Sequence, residues 1–235
     1  MQAFVLAGGR GERLRPYTND RPKPMVEVLG KPLLAYHLEW LRVNGVTQVV
    51  LLGGYRSEVI RDYFGDGTQT GMQLTYVSEP DLLGRGGALR QGLASVPPQG
   101  DLIVATNGDI LTSQPLVPIL EQHRAHPKAL ATLLLTPMPS PFGVVQTNAQ
   151  GRVLQFQEKP QLPYWVNAGV YVFSRPIEER LPKHGDHETS TFPALAREGR
   201  LFAHRSTAFW RSVDTAKDLR ELTQVLPDVS FTGTP

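Results

Sequence analysis

The feature that most constrains this chain is an apolar run that empties into a cluster of glycines and arginines. Phe4-Val5-Leu6-Ala7 leads directly into Gly8-Gly9-Arg10-Gly11-Glu12-Arg13-Leu14-Arg15-Pro16, and Arg21-Pro22-Lys23-Pro24-Met25 and Gly30-Lys31-Pro32 follow. A strand with no polar alternation belongs inside a parallel sheet covered on both faces by helices. Glycines at its carboxyl end let backbone N–H groups turn inward and approach phosphate oxygens, so the pattern predicts an anion site.

Two phosphate motifs fail here. The dinucleotide fingerprint G-x-G-x-x-G, started at Gly9 and Gly11, needs glycine where Leu14 stands, and no G-K-[ST] completes a P-loop. What remains is Gly8-Gly9-x-Gly11-x-Arg13-Leu14-x-Pro16-x-Thr18 with Pro22-Lys23-Pro24 close behind. A nucleoside triphosphate brings about four negative charges, which suits a loop offering N–H donors together with the full charges of Arg13 and Lys23. Prolines on both sides of Lys23 restrict its backbone.

The rest of the chain continues an α/β pattern. Leu34, Leu38 and Leu41 recur at helical spacing between Pro32 and Gly45, and Gln48 to Leu52 reads as a second buried strand. Ser57 is expected to cap a short helix ending at Gly65. Met72 to Val77 is strand-like and feeds Gly84-Arg85-Gly86-Gly87, ahead of a helix beginning near Ala88. Leu102 to Thr106 is a further buried strand ending in Asn107-Gly108-Asp109, and open α/β sheets bind ligands beyond such strand ends. A helix over 115–125 and a strand over 130–136 precede a hairpin, Gly143 to Thr147 and Arg152 to Gln157, turning at Asn148-Ala149-Gln150-Gly151. Glu158-Lys159-Pro160 comes next and, after a short loop, Asn167-Ala168-Gly169-Val170-Tyr171-Val172-Phe173. Two final strands, 201–204 and 208–213, lead to a terminal helix from Thr215, before which Asp214 is either an N-cap or a functional acid.

At 235 residues the chain suits one α/β domain over 1–235. A formal charge of +2 with no run of like charges gives no reason to expect nucleic acid. The chain has no cysteine, hence no disulfide, thiolate nucleophile or cysteine-ligated metal, which fits a reducing compartment. No stretch approaches ~18 apolar residues and no signal peptide is evident, so a cytoplasmic protein without a membrane segment is expected. The six histidines form no ligand set, and His184 and His187 are expected in a polar loop.

In order and type these motifs resemble the sugar-1-phosphate nucleotidylyltransferases, also called NDP-sugar pyrophosphorylases. The resemblance implies a Rossmann-like, mostly parallel sheet flanked by helices, with the β-hairpin as a small sugar-binding insertion. It also implies condensation of a nucleoside triphosphate with a sugar-1-phosphate, releasing pyrophosphate, and a homodimer as the family's habit. Carried over residue by residue, it assigns Arg13, Lys23 and Asp109 to catalysis. Leu6, Ala7, Gly8, Gly9, Gly11, Arg13, Lys23, Glu79, Gly84, Gly86 and Asp109 fall to the nucleotide, and Gly143, Glu158, Lys159, Asn167 and Gly169 to the sugar phosphate. Mg²⁺ falls to Asp109 and Asp214. Arg85 departs from the family, which has threonine there. The 33–40 and 58–67 stretches look most like enzymes making GDP-mannose or GDP-heptose, whereas Phe209 to Thr215 also resembles glucose-1-phosphate cytidylyltransferases, and relatives using UTP or dTTP share the same motifs. From other classes, a glycosyltransferase would normally show an aspartate-x-aspartate motif, but Ile110-Leu111 follow Asp109. A non-catalytic sugar-nucleotide sensor is expected to have lost Lys23 or an aspartate, and both remain.

Overall fold

The computed structural model describes residues 1–78, 83–229 and 231. Strand β1 (Gln2–Leu6) is followed by 3-10 turns over Glu12–Leu14 and Lys23–Met25, and by the two-residue strands β2 (Glu27–Val28) and β3 (Lys31–Pro32). Then come α1 (Leu33–Val43), β4 (Gln48–Gly53), α2 (Ser57–Phe64), β5 (Gln73–Ser78), α3 (Gly84–Ser95), β6 (Leu102–Asn107), β7 (Ile110–Thr112) and α4 (Leu116–Arg124). The second half holds β8 (Ala131–Pro139), β9 (Val144–Thr147), β10 (Val153–Gln157), β11 (Gln161–Ser174), α5 (Ile177–Arg180), α6 (Thr191–Arg197), β12 (Leu201–Arg205), β13 (Trp210–Ser212) and α7 (Ala216–Val225).

A seven-stranded sheet in the order β12-β8-β11-β6-β1-β4-β5 forms the centre. β1 lies parallel to β4 and β6, β4 to β5, and β8 to β12; only β11 runs against its neighbours. The mostly parallel, helix-flanked architecture expected from the sequence is thus present. Side chains alternate across β1 as a two-residue period requires. Ala3 and Val5 pack with Leu34, Leu38 and Leu41 of α1 and Ile119 of α4 on one face. On the other, Phe4 packs with Leu89 and Leu93 of α3 and with Phe192 and Leu195 of α6.

A third, smaller core positions the site. Leu219, Leu222 and Leu226, in and just beyond α7, bury against Leu14, Val26, Val28 and Leu33 from the N-terminal region and Leu111 of β7. Each such buried leucine stabilises the docking by roughly 1.5–3 kcal/mol, so the C-terminal helix is fastened to the glycine loop. The β9–β10 hairpin pairs as its sequence predicts, from Val144↔Gln157 to Thr147↔Val153, but forms a separate two-stranded sheet.

Three local expectations need correction. Ser57 is the first residue of α2 and makes no cap; Arg56, at φ 49°, holds the N-cap position. α3 starts at Gly84 rather than near Ala88, so its glycines form the first turn. No short loop follows Pro160, because β11 begins at Gln161 and pairs with β8 there. Both late strands are present, the first in the main sheet and the second, β13, in a ribbon with β7. That pairing spans about a hundred residues and has no local signature.

Candidate active site

The β1 exit is folded over by the chain that follows it. The Lys23 N–H donates to the Gly9 carbonyl at 3.2 Å, and the Thr18 hydroxyl donates to the Gly11 carbonyl at 2.8 Å. Gly11 has φ +63°, and a Cβ there would lie 2.9 Å from both Lys23 Cβ and Thr18 Cγ2. Glycine is required both for the turn and for the approach of Lys23.

The Lys23 side chain, only 9% exposed, is the hub of the site. Its Nζ lies 2.7 Å from Asp109 Oδ2 and 2.7 Å from Asp214 Oδ1, and Arg13 Nη2 donates to the same Asp214 oxygen at 2.9 Å. Burial alone would depress the lysine, but the two carboxylates outweigh it and hold its pKa above the ordinary value. Burial likewise works to raise Asp214, yet Lys23 and Arg13 keep it below the usual carboxylate range.

The ribbon explains how two acids so distant in sequence meet. Ser212 of β13 pairs antiparallel with Ile110 of β7, so Asp214 and Asp109 flank the same end of the pair. Asp214 does not cap α7. Thr215 does, in a reciprocal box with Asp218, whose carboxylate also accepts the Asp214 N–H at 3.0 Å. The Asp214 carboxylate is therefore available to Lys23 and Arg13.

A cleft of about 260 Å³ opens beside this cluster, lined by Leu6, Gly8, Gly9, Gly84, Arg85, Ala88, Asn107, Asp109 and Asp186. Five residues expected at the nucleotide, Leu6, Gly8, Gly9, Gly84 and Asp109, thus share one wall system. Ala7 is buried beneath it. Gly86 packs against the loop after α5, where a Cβ would meet Pro182 Cγ at 2.7 Å, so its role is close packing of α3. Glu79 lies outside the described residues.

The residues expected at the sugar phosphate are less gathered. Gly143 adjoins Glu158, whose Oε2 would be 3.2 Å from a Cβ at Gly143. Glu158 and Lys159 are exposed, and Lys159 has φ 46°. Asn167 Nδ2 donates to the Tyr171 hydroxyl at 3.0 Å, and the Gly169 N–H donates to Asn167 Oδ1 at 3.0 Å. Gly169, at φ +73°, leaves room for Asn107, whose Nδ2 would be 2.7 Å from a Cβ there.

Sequence reasoning missed Asp186, Glu188 and Tyr171. Arg85 Nη2 donates to Asp186 Oδ2 at 3.1 Å, and Arg85 Nη1 lies 2.9 Å from Glu188 Oε1. His187, expected in a polar loop, is fully buried, packed edge-on against Tyr171 and Phe192. Burial, and secondarily the Arg85 charge, lowers its pKa to about 4. A loop reading Lys-His-Gly-Asp-His-Glu carries no periodicity to announce that burial; only the alternation of Tyr171 and Phe173 in the strand beneath hinted at an apolar receptor.

Among the described residues no group of three or more acidic or histidine side chains could hold a metal ion. The two carboxylates that close on Lys23 Nζ nevertheless suit a hard divalent cation. They offer only oxygen, they converge on one point, and that point already attracts an ammonium. Magnesium is commonly held by one or two carboxylates with substrate phosphates supplying the rest.

Several known proteins resemble this chain over most of its length. The mannose-1-phosphate guanylyltransferase of Mycobacterium tuberculosis is 36% identical over 228 residues, covering 93% of this chain and 62% of that protein. The catalytic subunit beta of the Dictyostelium discoideum mannose-1-phosphate guanylyltransferase is 34% identical over 250 residues, covering 99% and 68%. The chain thus spans a little over 60% of the length of most of the curated relatives it matches. HddC from Yersinia pseudotuberculosis shares the fold, with a TM-score of 0.76 at 23% identity over 96% of this chain and 99% of that one. The family model described as nucleotidyl transferase matches residues 2–228, and the chain belongs to that family.

Proposed function

We propose that this chain condenses a nucleoside triphosphate with a sugar-1-phosphate, forming an NDP-sugar and pyrophosphate. The favoured pair is GTP with mannose-1-phosphate or a manno-configured heptose-1-phosphate, a choice supported by the names of its relatives. The observation that carries the reading is the convergence of Lys23, Asp109 and Asp214 at the mouth of the sheet, beside the glycine loop.

In this reaction a sugar-phosphate oxygen attacks the α-phosphorus, and the bond from that phosphorus to the oxygen bridging to the β-phosphate breaks. Pyrophosphate leaves with the electron pair. The nucleophile is already an anion at neutral pH, so no general base is required, and catalysis rests on positioning and charge stabilisation. The glycine loop offers backbone donors to the triphosphate. Lys23 and Arg13 supply positive charge to it and to the leaving pyrophosphate. Lys159 orients the incoming phosphate, while Glu158 and Asn167 hold sugar hydroxyls. Asp109 and Asp214 would hold Mg²⁺, which when bound supplies charge neutralisation at the phosphates. The absence of cysteine is compatible with work in the cytoplasm.

The test is pyrophosphate release from the purified chain across GTP, ATP, UTP, CTP and dTTP with a panel of sugar-1-phosphates. Release with GTP and a manno-configured phosphate is expected. Binding without release would favour a sensor, and sugar transfer to an acceptor would favour a glycosyltransferase.

A further inference from the structure

The resemblance noted in the sequence puts a threonine where this chain has Arg85, and the surroundings of Arg85 give it a role. Its guanidinium is split between two carboxylates, with Nη2 on Asp186 Oδ2 at 3.1 Å and Nη1 on Glu188 Oε1 at 2.9 Å. Asp186 Oδ1 also accepts the Arg85 backbone N–H at 2.9 Å, fixing the first turn of α3 to this loop. The Tyr171 hydroxyl donates to Glu188 Oε1 at 3.4 Å and accepts from Asn167 Nδ2 at 3.0 Å. One chain of polar contacts therefore runs from Arg85, on the wall of the cleft, to Asn167.

The direction of each hydrogen bond in this chain is fixed. Glu188, charged, can only accept, so the buried Tyr171 hydroxyl donates to it and keeps its acceptor capacity for the Asn167 amide. That leaves Asn167 Oδ1 toward the Gly169 N–H and fixes which way the amide faces. Arg85 is what permits the two acids to share the loop. Without it Glu188, about 20% exposed, and Asp186 would face each other uncompensated, and Glu188 would turn away or take up a proton. A threonine at position 85 is too short to reach either carboxylate. A lysine has one nitrogen and lacks the planar fork that serves two partners at once.

We propose that Arg85 is a positioning residue for the sugar half of the site, acting through Glu188 and Tyr171 on Asn167. This rests on the reading of Asn167 as a sugar contact. The experiment is a double-mutant cycle on Arg85→Thr and Tyr171→Phe, with Arg85→Lys alongside, measuring KM for the sugar-1-phosphate and for the nucleotide separately. Loss of one charge-assisted link predicts that Y171F, at a residue that does not line the cleft, raises the sugar-phosphate KM about 10-fold while the nucleotide KM stays within about twofold. R85T should raise the sugar-phosphate KM by a similar factor, the double variant no more than either alone, and R85K should give only partial rescue.

Multiplying effects on the sugar-phosphate KM in the double variant, or a rise in the nucleotide KM of Y171F equal to that for the sugar, would overturn the relay. If R85T does not fold, Y171F keeps the question open to refutation, since an unchanged sugar-phosphate KM there breaks the chain at its middle link. Absence of turnover in the unaltered protein would instead overturn the proposed reaction, and this inference with it.

Discussion

Lys23 and Lys159 both precede a proline in a turn, yet they sit in opposite surroundings. Lys23 is buried to 9% exposure between two aspartates at 2.7 Å, in a segment tied back to Gly9 and Gly11. Lys159 is exposed and makes no hydrogen bond or ion pair among the described residues. The surroundings of Lys159 share that openness, since Phe142 and Phe156 beside Gly143 are 74% and 63% exposed. On the proposed reading, the end assigned to nucleotide and metal is preorganised and the end assigned to sugar is open. Electrostatic groups fixed before the reaction need not reorganise during it, whereas an exposed side chain such as that of Lys159 gains a partner only when a ligand arrives.

The largest expected effect comes from breaking the preorganised end. Lys23→Ala should lower kcat by at least ~10²-fold, the scale of losing one preorganised electrostatic group; steady-state pyrophosphate release checks this, and near-normal turnover would remove Lys23 from the mechanism. Asp109→Asn should keep the fold, seen as an unchanged far-UV spectrum, while abolishing the response of turnover to added Mg²⁺. The open end should behave differently. Lys159→Ala is expected to raise the sugar-phosphate KM by about 10-fold with little change in thermal midpoint, since it removes a contact made only with ligand. If it instead lowered the midpoint by several degrees, the two ends would be more alike than the exposures imply.

The smallest effect is one of stability. Asp214 titrates lower in the fold than the ordinary 3.8 because of Lys23 and Arg13. As pH falls below about 4, the unfolded chain binds this proton first and stability declines. Asp214→Asn should therefore flatten the decline in urea midpoint between pH 5 and pH 3. An unaltered slope would mean that the ion pairs contribute no linkage.

How much of this was legible in the sequence follows the range of the interactions involved. β1 and its glycine loop were readable because an apolar run and its terminating glycines are local, and α1 was bracketed by Pro32 and Gly45. The hairpin announced itself through its turn residues. Ser57 misled because serine before a helix is normally a cap, whereas here Arg56 in a left-handed conformation starts the turn. The start of α3 was misplaced because three glycines in four residues are poor helix formers, and their place is set by Pro182 and Lys183 packed against them. β7 and β13 are three residues each and find each other only across the folded molecule. Lys23 stood out by its flanking prolines and Asp109 by its strand end, while a site role for Asp214 came from the resemblance, but their meeting on one nitrogen depends on that ribbon and on α7 docking against Leu14 and Val26. The Arg85 relay was invisible for the same reason: nothing in the sequence tells a loop carboxylate that faces a guanidinium from one that faces water.

The most direct test of the account is pyrophosphate release from GTP and mannose-1-phosphate by the unaltered chain and by Asp214→Asn, each titrated with Mg²⁺ from chelator to saturation. The account predicts release that rises from background with Mg²⁺ in the unaltered chain and stays near background in the variant. Full activity in chelator, or the same metal response in Asp214→Asn as in the unaltered chain, would contradict it.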